Sequence, residues 1–425
     1  MKINIIILTF FIPFIYSDDT NIYKTNLNEN DMFGKYYQKA REILKSMSPN
    51  EKIAQMFFLR YNYQKVVEQI NTKNNFGGYV LFSEDFVNHD KNSIKKELEK
   101  IQNALKIKLG LSVDEEGGKV VRISKYSKFR NEQFKSSQEY YKEGGIPKIL
   151  EIEKEKRNLI KDLNLNINLA PVADYSSNSS SYIYNRTLGQ SLSETEKYIG
   201  EVVKAANNDN FITCLKHFPG YGSNEDTHGK LVYDKREKSE FEETDFKPFI
   251  AGIKENVPMI MVSHNIIEKI DSKYPSSISA KIHKILREEL NYTGIIITDD
   301  ISMGAITQFV NQQSIGTIAI LSGVDIIISS NQTQNYEEVV NDYENNLIDD
   351  EQIDNAVTRI LAWKLMYMGN IINSNIVSIN DSSSSFFTYF IIFIILALVV
   401  FSVYYFFLRK PKVSGQSASD LIAKL

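Results

Sequence analysis

The 425-residue chain holds one cysteine, Cys214, so no intrachain disulfide can form. Its apolar neighbours, Phe211, Ile212 and Leu215, predict a buried and unreactive thiol. Histidine is also scarce. There are five, with no close pair at ligand spacing, which argues against a zinc site. Neither sign of charge dominates: 49 Lys and Arg against 53 Asp and Glu leave a net −4, without the basic footprint of a nucleic-acid binder. No Gly-x-Gly-x-x-Gly follows the first strand, which counts against a dinucleotide fold. There is no internal repeat beyond the alternation described below. What remains is an ordinary globular composition, 43% hydrophobic and 24% charged, on a chain long enough for a sizeable core.

Long apolar runs occur at the two ends. Met1-Lys2-Ile3-Asn4 leads into an apolar run from Ile5 to Tyr16 and then Ser17-Asp18-Asp19, the form of a secretory signal peptide over residues 1–17. That run is too short to cross a bilayer comfortably. From Phe386 to Leu408 there are 23 residues without a charge. At about 1.5 Å per residue they exceed a hydrocarbon core of ~30 Å. Arg409-Lys410-Pro411-Lys412 follows, marking a cytosolic side, and Tyr389, Tyr404 and Tyr405 lie near the ends of the run. A buried core helix is the alternative, but few are apolar all round at this length. The expectation is a single-pass type I membrane protein: residues 386–408 span, 409–425 form a cytosolic tail, and the body is extracellular or luminal, at the plasma membrane or in a lysosome-like compartment. Sequons at Asn178, Asn291, Asn331 and Asn380 suit such a body.

Between the ends, apolar runs alternate with amphipathic charged segments, as in repeated β-α units. Candidate strands are Ala54–Leu59, Gly78–Phe82, Lys108–Val113, Asn166–Val172, Phe211–Leu215, Pro258–Val262, Gly294–Thr298 and Val324–Ser329. Eight such runs predict a single (β/α)8 barrel of the TIM type over residues 46–370, after a lead-in at 18–45 and before a polar stalk at 371–385. A doubly wound open sheet is the alternative, which periodicity does not exclude. Polar residues cluster just after the strands: Asp114, Asp174, Lys216-His217, Ser263-His264-Asn265 and Asp299-Asp300. Barrel enzymes build their sites at these C-terminal strand ends. The charged run from Lys95 to Lys100 reads as a solvated helix face. Ile353, Val357, Ile360, Leu361 and Leu365 form a core stripe on a last helix, Glu351–Tyr367.

The densest chemistry lies between Leu215 and His228. A buried strand delivers Lys216 and His217, then Pro219, Gly220 and Gly222 force a loop that ends in Asp226-x-His228, a carboxylate beside an imidazole. Two donors and an acid–imidazole pair suit a sugar site with its own proton shuttle. The bland alternative is a pair of structural histidines.

This stretch resembles the Lys-His-Phe-Pro-Gly-x-Gly…Asp-Ser-His signature of glycoside hydrolase family 3, in its β-N-acetylglucosaminidase branch. Asp114-Glu-Glu-Gly-Gly-Lys-Val-Val-Arg122, Asn168-Leu-Ala-Pro-Val-Ala-Asp174, Asn185-Arg186-Thr-Leu-Gly189 and Gly294-Ile-Ile-Ile-Thr-Asp-Asp-Ile-Ser-Met303 match further motifs of that family. The resemblance implies that Asp299 is the nucleophile, with Asp300 the local runner-up because consecutive strand residues face opposite ways. His228 becomes the acid/base, oriented by Asp226, and Asp114, Arg122, Arg186, Lys216 and His217 bind the sugar. Asp174 either orients site residues or caps a turn. Asn185 is also a sequon, expected to stay bare because a glycan would crowd Arg186. Several positions depart from the family pattern: Tyr221 replaces a histidine, Thr227 a serine and Glu115 a glutamine, and the loop before Asp226 is one residue shorter. The implied activity is exo-acting retaining hydrolysis of terminal β-N-acetylglucosamine from glycans, chitin fragments or peptidoglycan fragments, with no metal or organic cofactor. A β-glucosidase or phosphorylase of the family, or an inactive membrane-anchored sugar-binding protein, are the alternatives.

Overall fold

The computed structural model describes residues 21–71, 75–224, 229–309, 314–331, 333–373, 397, 398 and 400–402. The signal-peptide run and most of the apolar run at 386–408 therefore lie outside the described residues. Among the described residues no helix is long and apolar enough to cross a membrane. The chain divides into two units, Met1–Val377 and Ser378–Leu425. Of the second, only a few helical, solvent-exposed residues near Leu398 are described.

Short runs rich in Ile, Val, Met and Phe form eight strands: β1 (Phe57–Arg60), β2 (Gly78–Leu81), β3 (Gly110–Val113), β4 (Ile167–Asn168), β5 (Ile212–Phe218), β6 (Met259–Val262), β7 (Ile295–Thr298) and β8 (Ile327–Ser329). Only Arg60 among these residues is not fully buried, because helices cover the outer face of a parallel sheet and side chains fill the inner one. The order β8-β1-β2-β3-β4-β5-β6-β7 is parallel throughout. A lone parallel bridge between Ile297 and Ile326, with Thr298 N–H donating to Ile326 O at 3.0 Å, brings β7 back to the start of β8. Sequential order with the ends meeting is a nearly closed barrel, not a doubly wound sheet. Room inside is made by glycine: Gly78 and Gly110 pair across β2 and β3, and a Cβ on Gly110 would stand 2.3 Å from Cζ of Phe58.

The covering helices follow their apolar spacing. Lys91–Ala104 buries Ile94, Leu98 and Ile101, turns its lysines out, and starts at an Asp90–Ser93 capping box. The last helix, Asp350–Met368, buries the stripe from Ile353 to Leu365 and sets Trp363 against Phe58 in the barrel. Two flanking stretches join the barrel body. The helix Tyr37–Leu44 packs on the last helix, and Tyr23 N–H donates to Leu321 O at 2.8 Å. Ile372 bridges antiparallel to Ile107. Strand β4 is only two residues long against the seven expected: the Glu115 N–H goes to the Asn168 side chain, and Pro171 has no N–H to give to a ladder. Strand β5 instead runs three residues further, to Phe218, and so includes Lys216 and His217.

Candidate active site

Strand β3 ends at Val113 and delivers three consecutive acids with three different fates. Glu115 turns inward. Its carboxylate accepts from the N–H groups of Arg122, Ile123 and Ser124 at 2.9, 2.8 and 3.1 Å, while its own N–H donates to Asn168 Oδ1 at 3.0 Å. The residue standing where the family has glutamine thus pins the segment that carries Arg122. Asp114 and Glu116 both meet Lys216 Nζ, each at 2.7 Å.

From Lys216 the contacts run on as an alternating chain. Glu116 takes a two-toothed fork from Arg186, with Nε at 3.0 Å and the second nitrogen at 2.8 Å. That guanidinium also lies 3.2 Å from Nε2 of His217, whose Nδ1 is 2.7 Å from Asp174 Oδ2. A guanidinium only donates, so Nε2 accepts and the ring proton sits on Nδ1, donated to Asp174. Asp174 also accepts from the N–H of His217 at 3.0 Å and of Tyr221 at 2.8 Å. Its role, open in the sequence, is orientation of the β5 end. The Lys216–His217 peptide bond is cis.

Charge follows from this arrangement. Burial opposes ionisation of Glu116, but Arg186 and Lys216 outweigh it and hold the carboxyl well below the usual carboxylate range. Burial would lower Lys216, and Asp114 and Glu116 instead push it up. Asp114, Arg122, Arg186, Lys216, His217 and Asp299 line one cavity of about 220 Å³ at the C-terminal strand ends. Arg122 lies over the Phe82 ring, 5.3 Å from its centroid, and 3.7 Å from Asp114.

Asp299 and Asp300 follow β7, which stops at Thr298. The strand alternation expected to separate them does not apply there, and both line the cavity. Their bonds distinguish them. Asp300 Oδ1 accepts from the N–H groups of Ser302 and Ser330 at 2.9 and 3.0 Å, and its other oxygen takes the Ser330 hydroxyl. Asp299 donates its N–H to Val262 O at 2.9 Å and accepts from the N–H of Asp300 at 2.8 Å. Buried His264 lies 2.9 Å from Asp300 O and 2.7 Å from the Ser277 hydroxyl, steadying the turn from beneath.

Asp226 and His228 lie outside the described residues. The loop before them rests on a buried ion cluster in which Arg236 bridges Asp234 and Asp245, at 2.8 and 2.7 Å. A Cβ on Gly220, whose φ is +124°, would stand 2.3 Å from an Asp245 oxygen. Among the described residues no three His, Cys, Asp or Glu side chains converge as metal ligands. Cys214 is buried, and burial pushes its thiol up. Glu116 is the site residue the sequence reading missed, and His264, placed there at a strand end, was given no role. Glu116 stood inside a quoted motif, but nothing in the pattern tells which of three adjacent acids faces the cations.

Comparison with known proteins identifies the scaffold. Residues 49–363 match the model of the glycosyl hydrolase family 3 N-terminal domain. A protein named beta-hexosaminidase A from Pseudoalteromonas piscicida is 25% identical over 328 residues, 70% of this chain and 54% of that protein. The chain thus spans about half the length of that relative. A beta-hexosaminidase from Psychromonas ingrahamii is 27% identical over 262 residues, 60% of this chain and 75% of its own length. The solved family 3 beta-N-acetylglucosaminidase from Paenibacillus superposes with a TM-score of 0.69 at 22% identity, over 80% of this chain and 67% of that one. The family model covers most of the chain, and the protein belongs to glycosyl hydrolase family 3.

Proposed function

We propose that the barrel is an exo-acting, retaining β-N-acetylglucosaminidase. The observation that carries this reading is the cavity in which Asp299 shares the strand ends with the Asp114–Lys216–Glu116–Arg186 chain. Fixed acids and donors of both signs suit the hydroxyls of one terminal sugar. The names of the beta-hexosaminidase relatives support the acetamido sugar.

In the proposed reaction Asp299 attacks the anomeric carbon as His228 protonates the departing oxygen. Water then opens the glycosyl-Asp299 ester, with His228 acting as base. In this reading Asp226 has the role of orienting the imidazole, and Asp114, Arg122, Arg186, Lys216 and His217 hold the sugar. The body is proposed to lie outside the cytosol, held by the apolar run at 386–408.

The test is kcat/KM on matched aryl β-N-acetylglucosaminides and β-glucosides, with and without added phosphate. N-acetylglucosamine released far faster than glucose, independently of phosphate, is the expected result. Equal or reversed rates would indicate a β-glucosidase, phosphate dependence a phosphorylase, and no turnover a sugar-binding protein.

A further inference from the structure

A second cavity, of about 690 Å³, lies against the catalytic one. Three pairs of consecutive residues straddle the two. Phe82, Val120 and Arg186 line the catalytic cavity, while Ser83, Val121 and Asn185 line the groove, and Arg122 lines both. The two spaces are therefore neighbours along three separate segments of chain.

The groove's charge is one-sided. Lys119, Lys125 and Lys142 line it together with Arg122, against one carboxylate, Glu139. That carboxylate is turned back on its own helix start, accepting from the Ser136 N–H at 2.9 Å and the Ser136 hydroxyl at 2.7 Å. The contrast with the catalytic cavity is chemical. There each cation has an acid beside it, as suits hydroxyls that both donate and accept. In the groove three lysines stand against one carboxylate, Arg122 being already beside Asp114, and that excess suits an acceptor-only, negatively charged group.

We propose that this groove is a subsite for an oxyanion carried by the substrate, a carboxylate, sulfate or phosphate next to the terminal sugar. The inference rests on the reading that the catalytic cavity holds that sugar. Two sources present the same chemistry: an acidic second residue on the leaving side, or an acid ester on the terminal sugar itself. Because the lysines are exposed, the attraction is modest per residue and screened by salt.

The experiment uses the full chain and two matched pairs of substrates. The first pair is an aryl β-N-acetylglucosaminide and its 6-sulfate. The second is N-acetylglucosamine linked to glucose or to glucuronic acid. At low salt one anionic member should exceed its neutral partner by about tenfold in kcat/KM, and the advantage should shrink in about 0.5 M salt. The pair that shows the preference assigns the source. A triple variant, Lys119→Gln, Lys125→Gln and Lys142→Gln, should lose the preference, with the neutral aryl glycoside as its reference. Parity in the wild type at low salt, or a preference that survives in the triple variant, overturns the proposal. Calorimetric binding of the anionic compounds to Asp299→Asn, with and without the three lysines, separates this from the hydrolase reading. Salt-sensitive binding lost with the lysines supports the groove even if no glycoside is cleaved, and its absence counts against the groove even if all are.

Discussion

Glu116 stands between two cations with its side chain 6% exposed, so its loss leaves Lys216 with Asp114 alone and takes the carboxylate from Arg186 in a poorly hydrated site. Glu116→Gln is expected to cost about 3–5 kcal/mol of stability, the usual penalty for stranding buried charge. It should also lower kcat/KM by misplacing both donors. Because the folded carboxyl is held below its ordinary value, its contribution is complete above the unfolded pKa of about 4.3 and declines as pH falls beneath it. The Tm gap between wild type and Glu116→Gln should therefore narrow on acidification below that value, as thermal melts against pH will read. The proposed catalytic pair is separable in a different way. Asp299→Asn should lose activity on every glycoside, because the nucleophile is needed to form the glycosyl intermediate whatever the leaving group. His228→Ala should cost about 10²–10⁴-fold on natural glycans, the worth of general acid catalysis, and visibly less on an activated aryl glycoside. Equal losses on both substrates would remove His228 from the acid/base role.

The last helix carries a residue that its apolar stripe does not explain. Lys364 is fully buried, donates to Gln55 Oε1 at 2.8 Å, and is pushed down by burial to about 7. The unfolded chain, with lysine near 10.4, binds this proton more tightly than the folded one. Folding stability should thus rise with pH between about 7 and 10. Lys364→Met removes a cost of a few kcal/mol. It should raise Tm most below pH 7, with the gain fading toward pH 10, and a pH-independent difference would contradict this reading. The helix itself was readable from spacing, since Ile353, Val357, Ile360, Leu361 and Leu365 recur on one face and that face is buried. Strand centres were readable for a similar reason, their runs being apolar and bounded. The ends of β4 and β5 were not: β4 stops at Asn168 where the run continues to Val172, and β5 runs past Leu215 to Phe218, because pairing with the neighbouring strands, not the apolar run, sets where each ends.

For the whole molecule, the proposed topology predicts that protease added to intact cells removes the barrel and leaves a protected tail. A protected barrel would overturn it. Asn178, Asn291 and Asn331 are exposed on the described surface and accessible to a glycan, and so is Asn185 beside the cavity. By itself the sequence determined the eight apolar runs, the helical faces, the acids and cations that follow the strands, and the motif matches that named the family. Those are properties of neighbours along the chain. Only the tertiary structure decided that Glu116 joins Lys216 to Arg186, that Asp174 holds His217, that His264 supports Asp300 and that a lysine-lined groove abuts the site. These partners lie between 36 and 100 residues apart, as for Glu116 with Lys216 (positions 116 and 216) and His264 with Asp300. The physical reason is barrel closure. The strand register brings distant C-terminal ends onto one rim, and which polar side chains meet there depends on that register, which local periodicity does not encode.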